Sequence, residues 1–224
     1  MSGAQRLVQT APVPDWTLRR FADLHTRDIN FDPIGWRRAA ADPSWQVDQQ
    51  TTELPAEAPG PPQAGGPFEV ARELTRSYEV ADPALVRAVY DAAAPLEGRD
   101  MLLVGRFYGL RFPMGVRVGG VVDGPDEVDG VEVHRFAWHY RTLEGHLERG
   151  QMDYEVLKYL EDGRVEFRIS AYSQRGPGQQ PIVRLGFTLF GRWSQLRFYS
   201  RAAHRMRTLT RARSGASDHL GSEG

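Results

Sequence analysis

Alternating hydrophobic and polar residues occupy most of the chain between residues 68 and 173, and this period of two predicts β-strands. Along 131–143 the aromatic residues fall on one side and most charged residues on the other, so the aromatic side is predicted to face the core. The segments predicted as strands are 68–80, 99–112, 114–124, 131–143, 152–158 and 163–173.

A spacing of three and four residues between apolar positions predicts helices elsewhere. Segment 81–93 has Asp82 as an N-cap and Pro83 at the first helical position, which is typical of a helix start. The longest helical pattern covers 182–213, and a shorter amphipathic pattern lies within 15–31. The chain therefore combines a sheet with one long C-terminal helix.

The N-terminal part of the chain lacks this order. Segment 32–48 is predicted as one or two helical turns and a loop, with Trp36 and Trp45 anchored on another part of the protein. Prolines and glycines make 53–66 typical of an extended linker. The predicted division is an N-terminal extension and linker over 1–66, one domain over 67–213 and a disordered tail over 214–224.

An antiparallel sheet with one apolar face needs a cover, and only the last helix is long enough to provide it. The predicted fold class is therefore α+β, with a curved antiparallel β-sheet packed on a long C-terminal helix. This order of elements resembles the helix-grip (START-like, Bet v 1-like) architecture. A likeness of topology predicts a fold and leaves function open.

Composition narrows the classes of function. The chain has no cysteine, which excludes disulfides, thiolate metal sites and a cysteine nucleophile. A net charge of −1 and the lack of a nucleic-acid-binding motif predict no nucleic-acid partner. No cofactor motif is present, so no cofactor is expected. Without an apolar leader or a run of about 18 apolar residues, the expected location is cytoplasmic.

The densest chemistry lies in the loop predicted over 144–150. His146 and Glu148 are two residues apart, and a histidine beside a carboxylate can act as an acid or a base near neutral pH. Arg141 on the preceding strand would stabilise developing negative charge. The alternative is a loop that holds itself together by hydrogen bonds. A third ligand at metal spacing is missing, so no metal site is predicted.

A sheet that closes over a helix often leaves an apolar cavity, and the aromatic residues exceed what one packing stripe requires. Arginine and tyrosine side chains would add polar contacts to that cavity. The residues predicted to contact a ligand are Arg106, Tyr108, Trp138, Tyr140, Tyr154, Phe167, Phe187 and Trp193.

Segment 138–174 is similar to the hallmark of the DUF1990 (UPF0548) family and close to an actinobacterial branch. Departures from the family pattern are Leu147 in place of proline, Gln151 in place of glutamate and Gln174 in place of arginine. The resemblance extends over about 53–211, singles out His146 and Glu148, and implies no particular activity. The matching positions are Tyr140, Thr142, Leu143, Gly145, His146, Glu148, Gly150, Val156, Gly163, Val165, Phe167, Ile169, Ala171 and Ser173.

Three functions follow from these patterns. The first is binding of a small apolar or aromatic ligand of the lipid, polyketide or isoprenoid class in a cavity between sheet and helix. The second is a cofactor-independent cyclase, isomerase or hydrolase with His146 and Glu148 as its acid–base pair. The third is docking of the basic C-terminal helix on a membrane surface or partner. That helix carries eight arginines, namely Arg184, Arg192, Arg197, Arg201, Arg205, Arg207, Arg211 and Arg213.

Overall fold

The computed structural model describes residues 7–9, 15–107, 109–176 and 181–220. Within these ranges, the side chains of 7–9, 107, 175, 181–194 and 216–220 are not described.

Eight strands form one curved antiparallel sheet in the order β1-β3-β4-β5-β6-β7-β8-β2. Consecutive strands from β3 to β8 are neighbours, as expected when short turns connect antiparallel strands. The strands are β1 (Leu7–Gln9), β2 (Gln46–Leu54), β3 (Val86–Asp91), β4 (Asp100–Phe107), β5 (Leu110–Val128), β6 (Val131–Thr142), β7 (Glu148–Tyr159) and β8 (Val165–Arg175).

The helices lie on both sides of this sheet. Helix α4 packs against α3, β2 and β8 and covers the face that we call the inner face, whereas α1 contacts β3, β4 and β5 on the outer face. The helices are α1 (Asp15–Ala22), α2 (Trp36–Ala41), α3 (Pro67–Arg76) and α4 (Pro181–Leu220). The predicted α+β fold, with an antiparallel sheet and a long C-terminal helix, is confirmed.

Two elements were assigned the wrong type from the sequence. Segment 68–80 contains helix α3, because Phe68, Ala71 and Leu74 are buried at helical spacing. Segment 81–93 contains strand β3: Asp82 caps only a single turn through the main-chain N–H of Ala84 (2.9 Å), and the chain then pairs with β4. In both segments the spacing of apolar residues and the capping residues are compatible with either a helix or a strand. Contacts with distant parts of the chain decide which one forms.

The predicted extension contributes to the sheet. Residues 46–54 form β2, which pairs along its whole length with β8, so the proposed boundary at residue 66 divides one sheet. Trp36 and Trp45 are anchored as predicted, because both rings pack on Tyr172 of β8 with centroid distances of 5.1 and 5.4 Å. Helix α4 continues to Leu220, beyond the predicted start of a disordered tail at residue 214.

Candidate functional site

Glu148 lies at the rim of the inner face, where it is the first residue of β7. Its carboxylate accepts a hydrogen bond from the side-chain amide of Gln195 on α4 (2.9 Å). Burial raises the pKa of the Glu148 carboxyl from 4.5 to about 7, and the nearby carboxylate of Asp48 acts in the same direction. Glu148 is therefore able to hold or release a proton near neutral pH.

A chain of amide groups extends this contact to the edge strand. The side chain of Gln46 on β2 donates to the Oε1 atom of Gln195 (2.7 Å) and to the Oδ2 atom of Asp48 (2.9 Å). Together with Glu148 these residues form what we call the rim network. The rim network joins β2, β7 and α4 at one end of the helix–sheet interface.

His146 is placed next to Glu148 but is bound to its main chain. The Nδ1 atom of His146 accepts a hydrogen bond from the main-chain N–H of Glu148 (2.9 Å). Burial lowers the pKa of His146 to about 4, so the ring is neutral at neutral pH. This contact matches the alternative of a loop held by its own hydrogen bonds, while the carboxyl group of Glu148 faces α4.

Arg141 lies on the other side of the sheet from the Glu148 carboxyl group. Its Nε atom donates to the Oε1 atom of Gln151, the residue directly opposite on β7 (2.9 Å). The amide group of Gln151 donates in turn to Asp153 (3.0 Å), and burial raises the pKa of Asp153 to about 7. The structure therefore brings His146 and Glu148 together and does not bring Arg141 to them.

Four large aromatic residues meet on the inner face, and we call them the tyrosine cluster: Tyr78, Trp138, Tyr140 and Tyr154. The ring of Tyr154 stacks on Trp138 at 4.9 Å and meets Tyr78 edge to face at 5.9 Å. Phe167 continues this surface, with its ring 6.5 Å from that of Tyr154. Three of the predicted ligand-binding residues therefore belong to the cluster, and a fourth borders it.

The hydroxyl groups of the tyrosine cluster bind one another and a thioether sulfur atom. The hydroxyl groups of Tyr140 and Tyr154 donate to the sulfur atom of Met152 at 3.3 and 3.0 Å, and a thioether is a poor acceptor. The hydroxyl groups of Tyr154 and Tyr78 are 3.4 Å apart. The indole Nε1 of Trp138 is buried and has no hydrogen-bond partner among the described residues. Burial raises the pKa of all three tyrosines, so their hydroxyl groups remain donors.

Tyr78 was not predicted as a site residue. It follows helix α3 with a φ of 59°, a left-handed conformation that is uncommon for a residue with a bulky side chain. The hydrogen bond from the main-chain N–H of Val80 to the carbonyl of Leu74 closes the helix end around it. A tyrosine at the C-terminus of a helix was not recognisable while 68–80 was interpreted as a strand.

Of the remaining predicted ligand residues, only Arg106 has a described side chain, and it does not join the cluster. Arg106 is exposed near the β4–β5 turn, opposite Arg111. Tyr108 lies outside the described residues, and so do the side chains of Phe187 and Trp193 on α4.

The described arginines of α4 largely contact the domain itself. Arg213 forms an ion pair with Glu79 (2.6 Å), and Arg201 lies 3.5 Å from Asp82. Arg205 donates to the carbonyl of Glu79 (2.7 Å). These contacts give several of the basic residues a structural role within the domain.

Metal sites and membrane-spanning helices are both absent from the described residues. No group of three or more histidine, aspartate or glutamate side chains there is arranged to hold a metal ion. None of the helices in that part of the chain has the length and apolar character needed to cross a membrane.

The family model described as Domain of unknown function (DUF1990) matches residues 30–205. The solved structure of Ara h 8.0201 is similar with 8% identity and a TM-score of 0.37, over 72% of this chain and 97% of that chain. An uncharacterized protein from Rhizobium leguminosarum is similar with 11% identity and a TM-score of 0.38, over 75% and 97% of the two chains. No curated protein matches the chain.

Proposed function

Since this chain belongs to the DUF1990 family, whose description assigns no activity, we propose a function from the site itself. We propose that the protein binds a small apolar or aromatic molecule that carries an acceptor oxygen, on the inner face beside α4. Lipids, polyketides and isoprenoids include molecules of this kind. The tyrosine cluster supplies both the apolar surface and the hydrogen-bond donors.

One observation carries this proposal: the buried indole N–H of Trp138 has no acceptor among the described residues, and the tyrosine hydroxyl groups beside it bind one another and a thioether sulfur atom. An unsatisfied buried donor costs about 1–3 kcal/mol, so native proteins rarely keep one without a reason. A ligand oxygen at this position would accept from these groups and recover that free energy.

The surroundings favour an apolar ligand body. The cluster belongs to a core of apolar side chains that includes Val116, Ile169 and Phe198, and Met152 and Met114 border it while remaining partly accessible. Methionine side chains adapt their shape readily, which suits a surface that accommodates a guest. These neighbouring side chains are apolar, and a charged ligand group buried among them would be costly, so the acceptor oxygen of the ligand is expected to be neutral.

Isothermal titration calorimetry with 2-acetylnaphthalene and 2-ethylnaphthalene tests the proposal, because the two probes have similar shapes and only the first has an oxygen. We expect the ketone to bind about tenfold more tightly, which corresponds to about 1.4 kcal/mol for the added hydrogen bonding. The preference is expected to be smaller in the double variant Tyr140→Phe/Tyr154→Phe, which keeps only the indole donor of Trp138.

The matched control is Tyr159→Phe. The hydroxyl group of Tyr159 is bound to Glu166 and Arg168, away from the tyrosine cluster. The Tyr159→Phe variant is therefore expected to keep the preference for the ketone. Absence of saturable binding by wild type, or an equal preference in the double variant, would overturn the proposal.

A second candidate function is proton transfer by Glu148, which the raised pKa of about 7 favours. If Glu148 exchanges protons with a bound ketone, 2-acetylnaphthalene incubated with the protein in D2O gains deuterium at its methyl group. The mass shift is expected with wild type and is expected to be lost in Glu148→Gln. Equal exchange rates for both proteins would exclude this role.

A further inference from the structure

A cleft lies on the outer face, on the opposite side of the sheet from the tyrosine cluster. It has a volume of about 630 Å³ and separates the N-terminal segment 29–45 from the first residues of β7 and the last residues of β8. Pockets of this size accommodate small molecules. Phe31 and Trp45 line it and have ring centroids 5.8 Å apart.

Arg149 projects from β7 into this cleft without a partner. Its Nε atom is buried and unpaired, and within the described residues its guanidinium group has neither a hydrogen bond nor an ion pair. Arg149 as a whole is only partly buried, so the unusual group is its Nε–H, a buried donor that lacks the hydrogen bond such donors normally make. The free donors of Arg149 therefore have the chemistry of an anion-binding group.

Two other side-chain donors of the cleft are already in use. The side-chain amide of Gln174 donates to the hydroxyl group of Ser44 (2.5 Å). The side-chain amide of Asn30 donates to the main-chain carbonyl of Glu148 (3.0 Å). These bonds fix the walls of the cleft and leave the guanidinium group of Arg149 available to a ligand.

The charges of the cleft restrict the anion. Asp32 and Asp42 also line it, and both are exposed. The Oδ1 atom of Asp42 accepts from the main-chain N–H of Ser44 (2.9 Å), which holds this carboxylate at the cleft. Two carboxylates that line the same cleft repel a multiply charged ion such as phosphate more strongly than they repel a single carboxylate, so a monocarboxylate is the better match.

We propose that the outer cleft binds a small monocarboxylate with an aromatic body. Its carboxylate pairs with the guanidinium fork of Arg149, a geometry in which arginine forms two parallel hydrogen bonds. Its ring packs beside Phe31 and Trp45. The site is independent of the tyrosine cluster, since the sheet lies between them.

Isothermal titration calorimetry with 3-phenylpropanoate, 3-phenylpropanol and inorganic phosphate tests this proposal. We expect saturable 1:1 binding of the carboxylate, binding of the alcohol at least about tenfold weaker, and no tighter binding of phosphate. Arg149→Gln is expected to reduce affinity for the carboxylate at least about tenfold. Arg111→Gln, the same change at an exposed arginine of β5, is expected to leave it unchanged.

A second variant keeps the test independent of any folding defect in Arg149→Gln. Gln174 lies directly opposite Arg149 in the β7–β8 register, so Gln174→Glu would place an internal carboxylate beside the guanidinium group. This variant is expected to raise the melting temperature and to lose binding of 3-phenylpropanoate. Binding unchanged in both variants, or phosphate bound more tightly than the carboxylate, would overturn the proposal.

Discussion

Lys158 and Glu57 form an ion pair whose two side chains are completely buried, with 2.5 Å between Nζ and Oε2. Lys158 is the only lysine of the chain, and its ammonium group also donates to the carbonyls of Ala58 and Pro61 at 3.0 Å each. The Oε1 atom of Glu57 accepts from the main-chain N–H of Phe68 in the first turn of α3 (2.7 Å). This pair therefore attaches the segment before α3 to strand β7.

Lys158→Met is expected to lower the free energy of unfolding by about 3–5 kcal/mol, because it leaves the Glu57 carboxylate buried without its counter-ion. Urea denaturation followed by circular dichroism measures this loss. The double variant Lys158→Met/Glu57→Gln is expected to be more stable than the single variant, since the unpaired charge is gone.

Arg201→Met is the control for this prediction, because Arg201 forms an exposed ion pair with Asp82. Exposed pairs contribute roughly 0–1 kcal/mol, so a small change is expected there. A loss in Lys158→Met no larger than that in Arg201→Met would contradict the structural role of the buried pair.

A side chain at Gly119 is expected to displace the ring of His139, because a Cβ atom at this position would lie 2.0 Å from its Nε2 atom. Gly119 sits in the irregular part of β5 where the register with β6 shifts. Gly119→Ala should destabilise the protein by about 1–3 kcal/mol through overpacking. The melting temperature measured by calorimetry reports this change.

Gly124→Ala is the matched control on the same strand, since nothing lies within 4 Å of its Cβ position. Its stability is expected to stay within about 1 kcal/mol of wild type. The double variant Gly119→Ala/His139→Ala should regain stability relative to Gly119→Ala. No such gain would show that contact with His139 is not the cause.

The hairpin of β6 and β7 was predictable because its alternation is strict. Trp138, Tyr140 and Tyr154 were predicted to share the core-facing side, and all three are buried in the main core. When hydrophobic and polar residues alternate without interruption, the sequence of a single strand shows which face of the sheet each side chain occupies. Most of the tyrosine cluster could therefore be predicted before the topology was known.

Glu148 and Tyr78 required information that lies elsewhere in the chain. Glu148 is the first residue of strand β7, and its carboxyl group binds Gln195, which lies 47 residues later in the chain. No local sequence pattern predicts a contact over that distance. Helix α3 begins where Glu57, from a preceding loop, accepts the Phe68 N–H. Since that cap is remote in sequence, local periodicity alone could not locate the helix or Tyr78 at its end.

The stability of Glu148→Gln relative to wild type is expected to increase as the pH rises. The pKa of Glu148 is about 7 in the folded protein and 4.5 for an ordinary glutamate, so the folded form retains the proton more strongly than the unfolded chain. Its contribution to stability is therefore present below pH 4.5 and is lost as the pH rises to about 7. Glutamine carries no charge and avoids this loss.

Melting temperatures of both proteins between pH 5 and pH 8 measure this difference, whose slope is at most about 1.4 kcal/mol per pH unit for one proton. The wild-type curve must be subtracted because His139 and His146 also make stability depend on pH. Their pKa values are lowered to about 4, so they destabilise the folded protein as the pH falls, whereas Glu148 destabilises it as the pH rises. Glu144→Gln, at an exposed position of the same turn, is expected to follow the wild-type curve. Parallel curves for Glu148→Gln and wild type would mean that the Glu148 carboxyl group titrates as it does in water, and proton transfer by this residue would then lose its support.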